Sequence, residues 1–502
     1  MSTRPRKKTT NRSTRLSAGL EPRDVVASAQ RPTRTTAAPL PPMCYISRLS
    51  NELLSEIMVY AGSKAYQSQW DSSSPSTLGA VCSLWRTVAV TTPRLWRSLW
   101  IRNKRPQNSN RMLSVWTERS SSTPEMRGVT DLTLELGVGS HEESTEIIRT
   151  WASSPRWKYP EKALMAALRP SLAIYHARTD PVMDYLALVP QNLRELRLHG
   201  RSTFEYADLA EAIERRDFGY LETLSIDCGG IDTRIRHFTC LSSITNISFT
   251  VLDIWNGADD VVALFEQLPN LRAAEVTFGR FLDSVPAHTS QVAMPHLEYV
   301  EFIWPPKDLF KRMLAPNLKV LRIYPGLDQE VLESLKDHWK PYSVLPLREL
   351  HLDGGNTVSC KKIFPQIVPK LVNLEGLVVQ SELGDVDAVV QSLTIEGLSA
   401  NPVDRSNLSS DTLPPIPCPN LQRIDFGDCT KLSGGAIRRM ISSRTPALSA
   451  LPHSSSCVAI HTLVVNKRSQ LDKNDFEWLN KTVPCVRDQT MVPWYRKAWE
   501  DG

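Results

Sequence analysis

The chain has 502 residues, of which 41% are hydrophobic and 23% are charged. That length is too great for one ordinary domain and indicates two or three units, or a repeat array. No run reaches the ~18 apolar residues that a membrane-spanning helix needs, and the start lacks the apolar core of a secretory signal. We therefore expect a sizeable core and no membrane partner.

Charge is unevenly distributed along the chain. Residues 1–42 contain nine Lys or Arg and two acidic residues, and because the whole chain carries +5, the other 460 residues sum to −2. A folded part without excess positive charge is poorly suited to a phosphate backbone, so we expect no nucleic-acid partner. The nine cysteines form no CxxC pair, which argues against zinc or a disulfide framework and favours a reducing compartment.

Residues 1–42 are rich in Ser, Thr, Arg and Pro and are predicted to be a disordered tail. The basic run from Arg4 to Lys8 is compatible with a nuclear import signal, but a solvated basic tail is the favoured explanation. A mitochondrial transit peptide is disfavoured because few apolar residues recur at helical spacing. The expected location is cytoplasmic, nuclear or both.

A helical pattern begins at residue 46. Ser50 is placed to cap a first helix that we expect to end at Gly62, with an apolar face comprising Leu53, Leu54, Ile57, Met58 and Ala61. After a Ser-rich loop, a second helix is predicted to stop before Pro93 and to carry Leu78, Val81, Cys82, Trp85, Val88 and Ala89. These helices contain more apolar residues than they can bury alone, so we expect them to need a partner.

The rest of the chain repeats a Leu-x-x-Leu-x-Leu pattern with conservative replacements. The first eight copies are 21 to 29 residues apart, which is the period of leucine-rich repeats; the ten copies begin at Leu193, Leu221, Ile244, Leu271, Leu297, Leu318, Leu347, Leu374, Leu421 and Ile460. An outlying copy is Val129-Leu132-Leu134. The segment from Leu421 to Leu432, with Cys429, is close to the cysteine-containing subtype and is followed by a predicted helix from Gly435.

Helical stretches between the predicted strands run from Leu209 to Ile213, from Val261 to Leu268 and from Val331 to Leu335. This alternation predicts an α/β solenoid with parallel strands on its concave side and helices on its convex side. The expected organisation is a disordered tail (1–42), a small all-helical domain (43–101), a linker with the first degenerate repeats (102–190), the solenoid (191–482, with loops near 381–418 and 441–456) and a C-terminal tail (483–502).

Residues 46–101 resemble an F-box. The resemblance is carried by Leu49-x-x-Glu52-Leu53-Leu54-x-x-Ile57, by Val81-Cys82-x-x-Trp85-Arg86 and by Leu95-Trp96. Leucine-rich repeats behind an F-box are a familiar pairing, and the two features together cover most of the chain. The sequence departs from the family at Ser50, where Pro is usual, and in its long loop between the helices.

The resemblance implies a substrate receptor of an SCF-type ubiquitin ligase. In that family the F-box docks on the Skp adaptor, which links it to a cullin, and the repeats hold a protein substrate. The adaptor-facing candidates implied by position are Leu49, Leu53, Leu54, Ile57, Val81, Cys82, Trp85 and Trp96. Some of these side chains could equally pack the core of the F-box itself.

The substrate surface can be predicted from strand alternation, because the residues between the leucines point away from the core. Aromatic side chains beside mixed charges suit a protein ligand, although an ordinary solvated strand face is the alternative. The candidates are Arg197, His199, Asp227, Glu275, Tyr299, Glu301, Arg322, Tyr324, His351, Asp353, Arg423 and Asp425.

Catalytic motifs are weak. Gly137-Val138-Gly139 lacks the third glycine of a dinucleotide loop, His141-Glu142-Glu143 lacks the second histidine of a zinc helix, and no phosphate loop or nucleophile elbow occurs. We therefore expect a non-enzymatic protein without a cofactor or metal. The alternative to a ligase subunit is a repeat scaffold whose F-box-like helices hold another partner, without ubiquitylation.

Overall fold

The structure is a computed structural model in which the following residues are described: 49–65, 78–96, 98–102, 113–115, 131–137, 141–153, 169–177, 186–189, 191–200, 218–227, 242–251, 257–278, 291–324, 329–354, 360–380, 386–395, 416–444, 457–466 and 469–488. The chain divides into residues 1–49 and 50–502. The predicted tail, its basic run, the helix from Leu209 to Ile213 and most of the two predicted loops lie outside the described residues.

The helical unit, as we call residues 50–96, contains helices α1 (Asn51–Ala65) and α2 (Ser83–Thr91) and the 3-10 turn Pro93–Trp96. Ser50 caps α1 as predicted, because its Oγ accepts a hydrogen bond from the amide of Leu53 at 3.3 Å. The predicted end at Gly62 is wrong: α1 continues to Ala65. A single glycine costs a helix only ~1 kcal/mol and does not by itself terminate it.

The second helix begins at Ser83 rather than at Leu78. Cys82 precedes it in an extended conformation, with φ −159° and ψ 177°, after a turn at Gly79 and Ala80. The unit nevertheless closes a small core around both helices, whose buried members are Leu54, Met58, Leu78, Val88, Ala89 and Leu95.

One parallel sheet dominates the described part of the chain. It has fourteen strands that follow sequence order, except that two short strands, β8 and β10, pair separately. The strands are β1 (Ser98–Arg102), β2 (Asp131–Gly137), β3 (Arg169–Ala177), β4 (Glu195–Gly200), β5 (Thr223–Asp227), β6 (Asn246–Val251), β7 (Ala273–Phe278), β8 (Val292–Ala293), β9 (Tyr299–Ile303), β10 (Met313–Leu314), β11 (Val320–Tyr324), β12 (Glu349–Asp353), β13 (Gly376–Gln380), β14 (Arg423–Phe426), β15 (Thr462–Val465) and β16 (Cys485–Asp488).

Each of the ten repeat copies supplies one strand of this sheet, and the outlying copy supplies β2. The predicted repeat of parallel strands is therefore confirmed. Three strands of this sheet were not predicted. They are β1, from the segment assigned to the helical domain; β3, from the linker; and β16, from the segment assigned to the C-terminal tail.

Helices lie between many of the strands, which gives the mixed α/β class. The predicted stretches from Val261, Val331 and Gly435 are all helical. The bounds are α3 (His141–Ala152), α4 (Gly257–Glu266), α5 (Leu309–Arg312), α6 (Gln329–Trp339), α7 (Cys360–Ile367), α8 (Asp387–Ser392), α9 (Gly434–Ser443) and α10 (Lys473–Thr482). No helix among the described residues is both long and apolar enough to cross a membrane.

The repeat leucines and the helices share one continuous core, which extends from Leu113 to Val483. In strands β7 and β9 the residues alternate between buried and half-buried. Every second side chain of these strands therefore points into the core. Trp96 packs against both this core and the core of the helical unit. We call the opposite side of the sheet the open face; it carries the first, third and fifth residues of each strand.

Candidate functional sites

An exposed apolar patch lies on the helical unit. Leu53, Ile57 and Tyr60 stand at i, i+4 and i+7 on α1, a spacing that places them on one side of the helix. Leu53 is 57% exposed, Ile57 46% and Tyr60 60%, and Val81, before α2, is 62% exposed. We define these four side chains as the helical patch. Exposed apolar groups in this number suit a protein-binding surface.

The predicted adaptor residues fall into three groups by accessibility. Leu53, Ile57, Val81 and Cys82 are exposed, whereas Leu54 is fully buried in the core of the helical unit. Leu49, Trp85 and Trp96 are half-buried. Tyr60 was not predicted, although its position one helical turn beyond Ile57 was a usable signal.

Contacts around the two tryptophans favour a structural role for them. Trp85 packs against the core of the helical unit. The indole nitrogen of Trp96 donates to the carbonyl of Ala89 at 2.8 Å, which ties the 3-10 turn to α2. Arg94 of the same turn pairs with Glu56 of α1 at 2.6 Å. These contacts fix the angle at which the helical patch is presented.

The second candidate site is the open face. Strand register aligns its residues in three rows across the sheet, and we call the third residues of the strands the middle row. From β4 onward this row contains Arg197, Ser225, Ser248, Glu275, Glu301, Arg322, His351, Val378, Asp425, Val464 and Arg487. The row is polar for most of its length and has two valines near one end.

All twelve predicted substrate residues occupy open-face positions. The side chain of Asp227 lies outside the described part, and the other eleven differ in accessibility. Arg322, His351 and Asp425 are almost completely buried, so they are not freely exposed contact residues. Arg197 is exposed, and the rest are half-buried: His199, Glu275, Tyr299, Glu301, Tyr324, Asp353 and Arg423.

A cluster of charged and aromatic groups occupies β7, β9 and β11. The Tyr299 hydroxyl donates to Glu301 Oε2 at 2.6 Å, and Arg322 lies 3.5 Å from the same oxygen with its guanidinium 5.4 Å from the centre of the Tyr299 ring. Glu275 stands beside Glu301 on the neighbouring strand. Arg322 therefore lies near two adjacent carboxylates, and Arg197 also acts on Glu275.

Burial and the closeness of the two carboxylates shift the pKa values of the cluster. Burial, and then repulsion from Glu301, raise the pKa of Glu275 to about 7, against an opposing hydrogen bond from Ser248. Burial and the Glu301 charge also raise the pKa of Tyr299 above its ordinary value. The pair of carboxylates thus carries less than two negative charges near neutral pH.

A pocket of about 190 Å³ opens on the same face over β12 to β16. Gly376 leaves room between Glu349 and Arg423, which form an ion pair across it. Within the middle row, Asp425 lies between Val378 and Val464, and all three are buried. The pocket therefore combines two buried valines and a buried carboxylate with the charged side chains of Glu349, Arg423 and Arg487.

The carboxylates of this pocket are held by neighbours. The His351 ring, whose Nε2 lies 3.8 Å from Glu349 Oε2, and then Arg423 lower the pKa of Glu349 to about 2, against burial, which raises it. Burial lowers the pKa of His351, against the hydrogen bond with Glu349, which raises it. Asp425 Oδ1 accepts a hydrogen bond from the backbone amide of Gly427 at 2.8 Å.

Sequence reasoning missed several residues of the open face. Gly376, Thr462, Val464 and Arg487 line the pocket, but glycine and valine give no chemical signal in a strand. Trp304, directly after β9, is 51% exposed and has a φ of +58°, which is costly for a large side chain. Its position before Pro305-Pro306 was a usable turn signal.

Two solved structures resemble the chain weakly. No protein-family model matches the chain, and no curated protein matches it. A chain in the crystal structure of the Rad7 and Elc1 complex in yeast is 13% identical, with a TM-score of 0.37 over 83% of this chain and 94% of that one. A protein from Bacteroides fragilis is 13% identical, with a TM-score of 0.24 over 72% and 74%. Likenesses this weak carry no functional argument.

Proposed function

We propose that the chain is the substrate-recognition subunit of an SCF-type ubiquitin ligase. The helical unit docks on the Skp adaptor, which links it to a cullin, and the open face holds the protein to be ubiquitylated. The chain performs no covalent chemistry itself. It acts by positioning, because holding a target lysine near a charged conjugating enzyme raises the effective concentration of that lysine.

The helical patch is the observation that supports this proposal most directly. Leu53, Ile57 and Val81 match F-box positions in sequence, and the structure leaves them exposed while their neighbours Leu54 and Met58 fill the core. Exposing three large apolar side chains on a small unit is unfavourable unless a partner covers them. The adaptor is the partner that the F-box resemblance implies.

A test is co-expression of the full chain with the Skp adaptor, followed by co-purification. The double variant Leu53→Asp, Ile57→Asp places two charges in the helical patch without touching the core. Val344→Asp, which changes a 47% exposed residue of the repeats, is the matched control. We expect the wild type and the control to retain the adaptor and the double variant to lose it, with equal circular dichroism spectra.

Ser50 favours a second candidate, an interaction scaffold without ubiquitylation. This residue replaces the proline usual in F-boxes and instead caps α1. Reconstitution with the adaptor, a cullin and a charged conjugating enzyme separates the two candidates. Ubiquitin transfer to the receptor or to its bound protein supports the ligase subunit. Adaptor binding without any transfer supports the scaffold, and no adaptor binding by folded wild type contradicts the proposal.

A further inference from the structure

The sheet core is incompletely covered at its C-terminal end, within the described part of the chain. Seven half-buried apolar residues pack against that core, and four of them belong to its last repeat: Leu471, Phe476, Trp478 and Val486. They come from the turn before α10, from α10 and from β16. We call these four side chains the terminal surface.

The preceding repeat has no such opening. Its inward apolar residues are all almost completely buried: Ala436, Ile437, Met440, Ile441, Leu463 and Val465. There α9 lies between α8 and α10, and β15 lies between β14 and β16. Strand β16, in contrast, pairs only with β15 among the described residues. The end repeat of an array lacks one neighbour, so a capping segment is required to cover its apolar side.

The segment that follows β16 directly has the composition of such a cover. Residues 489–502, which lie outside the described part of the chain, contain five large apolar residues: Met491, Val492, Trp494, Tyr495 and Trp499. In this sequence Trp494, Tyr495, Ala498 and Trp499 stand at i, i+1, i+4 and i+5, the spacing of one apolar side of a helix. Pro493 precedes them, where proline favours a helix start.

The order of strands and helices places this segment beside the terminal surface. Strand β14 is followed by α9, and β15 is followed by α10. Residues 325–328 link β11 to α6 in the same way, and residues 489–492 have that length. A helix that starts at Pro493 therefore continues the repeat, and its place is next to α10 and β16.

We infer that residues 489–502 dock on the terminal surface through Trp494 and Trp499 and form the cap of the repeat array. Arg487 of β16 lines the pocket over β12 to β16. The docked segment therefore also steadies one wall of that pocket. The inference does not depend on the ligase function proposed above.

Photo-crosslinking of the full chain tests the contact. The photoreactive residue p-benzoylphenylalanine replaces Trp494 in one variant and Lys497, on the polar side of the same helical pattern, in the matched control. We expect the Trp494 variant to crosslink within one chain to residues 471–488, with a yield above that of the control. Mass spectrometry of the monomeric product identifies the joined residues.

Hydrogen exchange measures what the docked segment does. The full-length double variant Trp494→Ser, Trp499→Ser should exchange the amides of α10 and β16 about tenfold faster than the wild type, while β4 to β7 stay unchanged. A chain that stops after Asp488 should behave in the same way. The control Arg496→Ser, Lys497→Ser changes two polar residues of the segment and should exchange like the wild type. The double variant decides the question even if the shortened chain fails to fold.

Three results would overturn the inference. Crosslinks between two chains would assign the terminal surface to self-association. Crosslinks confined to other parts of the same chain, or a yield no higher than that of the Lys497 control, would place the segment elsewhere. Equal exchange of α10 and β16 in the double variant and the wild type would show that the segment does not cover the end of the core.

Discussion

The helical unit and the sheet bury apolar side chains on very different scales. Among the described residues of the helical unit, six make its core, while four large apolar side chains remain exposed. The sheet instead shares one core from Leu113 to Val483, and each strand is covered by its neighbours. In such an array, stability is approximately a sum of nearest-neighbour terms, so the sheet can be stable on its own.

A small core gives little surplus over conformational entropy, and this bears on function. The helical unit is the part whose stability should respond to a bound partner, because anything that binds only the folded form stabilises it. The sheet should be insensitive to such a partner. Substitutions that create cavities in each region test this contrast.

The largest effect is expected for Phe302→Ala in the sheet. The Phe302 ring is fully buried and lies 5.9 Å from Phe278 and 5.7 Å from Phe310, centre to centre. Its removal should cost about 4 kcal/mol of unfolding free energy, from lost burial and the cavity left behind. Denaturant titration measures it. Ile303→Ala, on the open face of the same strand, is the control. If Phe302→Ala lost no more unfolding free energy than Ile303→Ala, the contrast between the two regions would be contradicted.

Leu54→Ala makes the corresponding cavity in the helical unit. We expect a loss of about 3 kcal/mol for that unit, with the sheet unaffected, and a recovery of ~2.7 kcal/mol when the adaptor is present at 100 times its Kd. Hydrogen exchange of α1 and of the sheet strands measures both. The neighbouring Leu53→Ala is the matched control.

Leu53→Ala should show the opposite pattern to Leu54→Ala, with a small change in stability and a large loss of adaptor affinity. Because Leu53 is exposed, stability should change by under about 0.5 kcal/mol. Adaptor affinity should fall by about tenfold or more, as for an interface anchor. Equal behaviour of Leu53→Ala and Leu54→Ala would show that the two leucines do not divide between surface and core.

The neighbouring leucines also show the limit of sequence analysis. Periodicity placed both residues on one apolar face of α1, but a wide apolar stripe does not reveal which edge of it faces the core. Packing against α2 decides that, and α2 begins five residues later than the pattern predicts. The repeat strands were easier to predict, because each Leu-x-x-Leu-x-Leu motif indicates both where the strand lies and which of its sides is buried.

Strands without the full motif could not be found in this way. In β3, Arg169 occupies the position of the first leucine, three residues before the buried Leu172, so the motif is incomplete. The pocket on the open face could not be predicted from the sequence either. It depends on Gly376 lying beside Arg423, a contact between residues 47 positions apart that only strand register creates. Sequence alternation gave the side of the sheet but not the burial of Arg322, His351 and Asp425.

Acidic pH should stabilise the sheet through Glu275. Its pKa is raised from 4.5 to about 7, so the folded state binds a proton that the unfolded chain has released. Stability therefore falls as pH rises from about 4.5 to about 7 and is constant above that range. Glu275→Gln should remove this fall and be about 2 kcal/mol more stable than the wild type at pH 8.

At pH 4 the two proteins should be equally stable, because Glu275 is protonated there in both the folded and unfolded states. Denaturant titrations at pH 4, 6 and 8 give the comparison. A difference between the proteins that does not vary with pH would mean that Glu275 acts through packing alone.

The smallest expected effects compare one helix cap in each region. The Ser50 hydroxyl caps α1 through the Leu53 amide, and Asp472 with Asp475 forms a reciprocal capping box at α10. Ser50→Ala and Asp472→Ala should each cost about 1 kcal/mol. Ser50→Asp, which keeps an acceptor, should restore the first.

The adaptor should compensate the loss of stability at one cap but not at the other. Adaptor binding should recover the loss in Ser50→Ala, because α1 presents the helical patch, and should leave the loss in Asp472→Ala unchanged, because α10 packs within the sheet core. Thermal unfolding with and without the adaptor gives both values. If the adaptor compensates the two variants equally, α1 and the repeats unfold as one cooperative unit, and Trp96, which contacts both cores, is the residue that couples them.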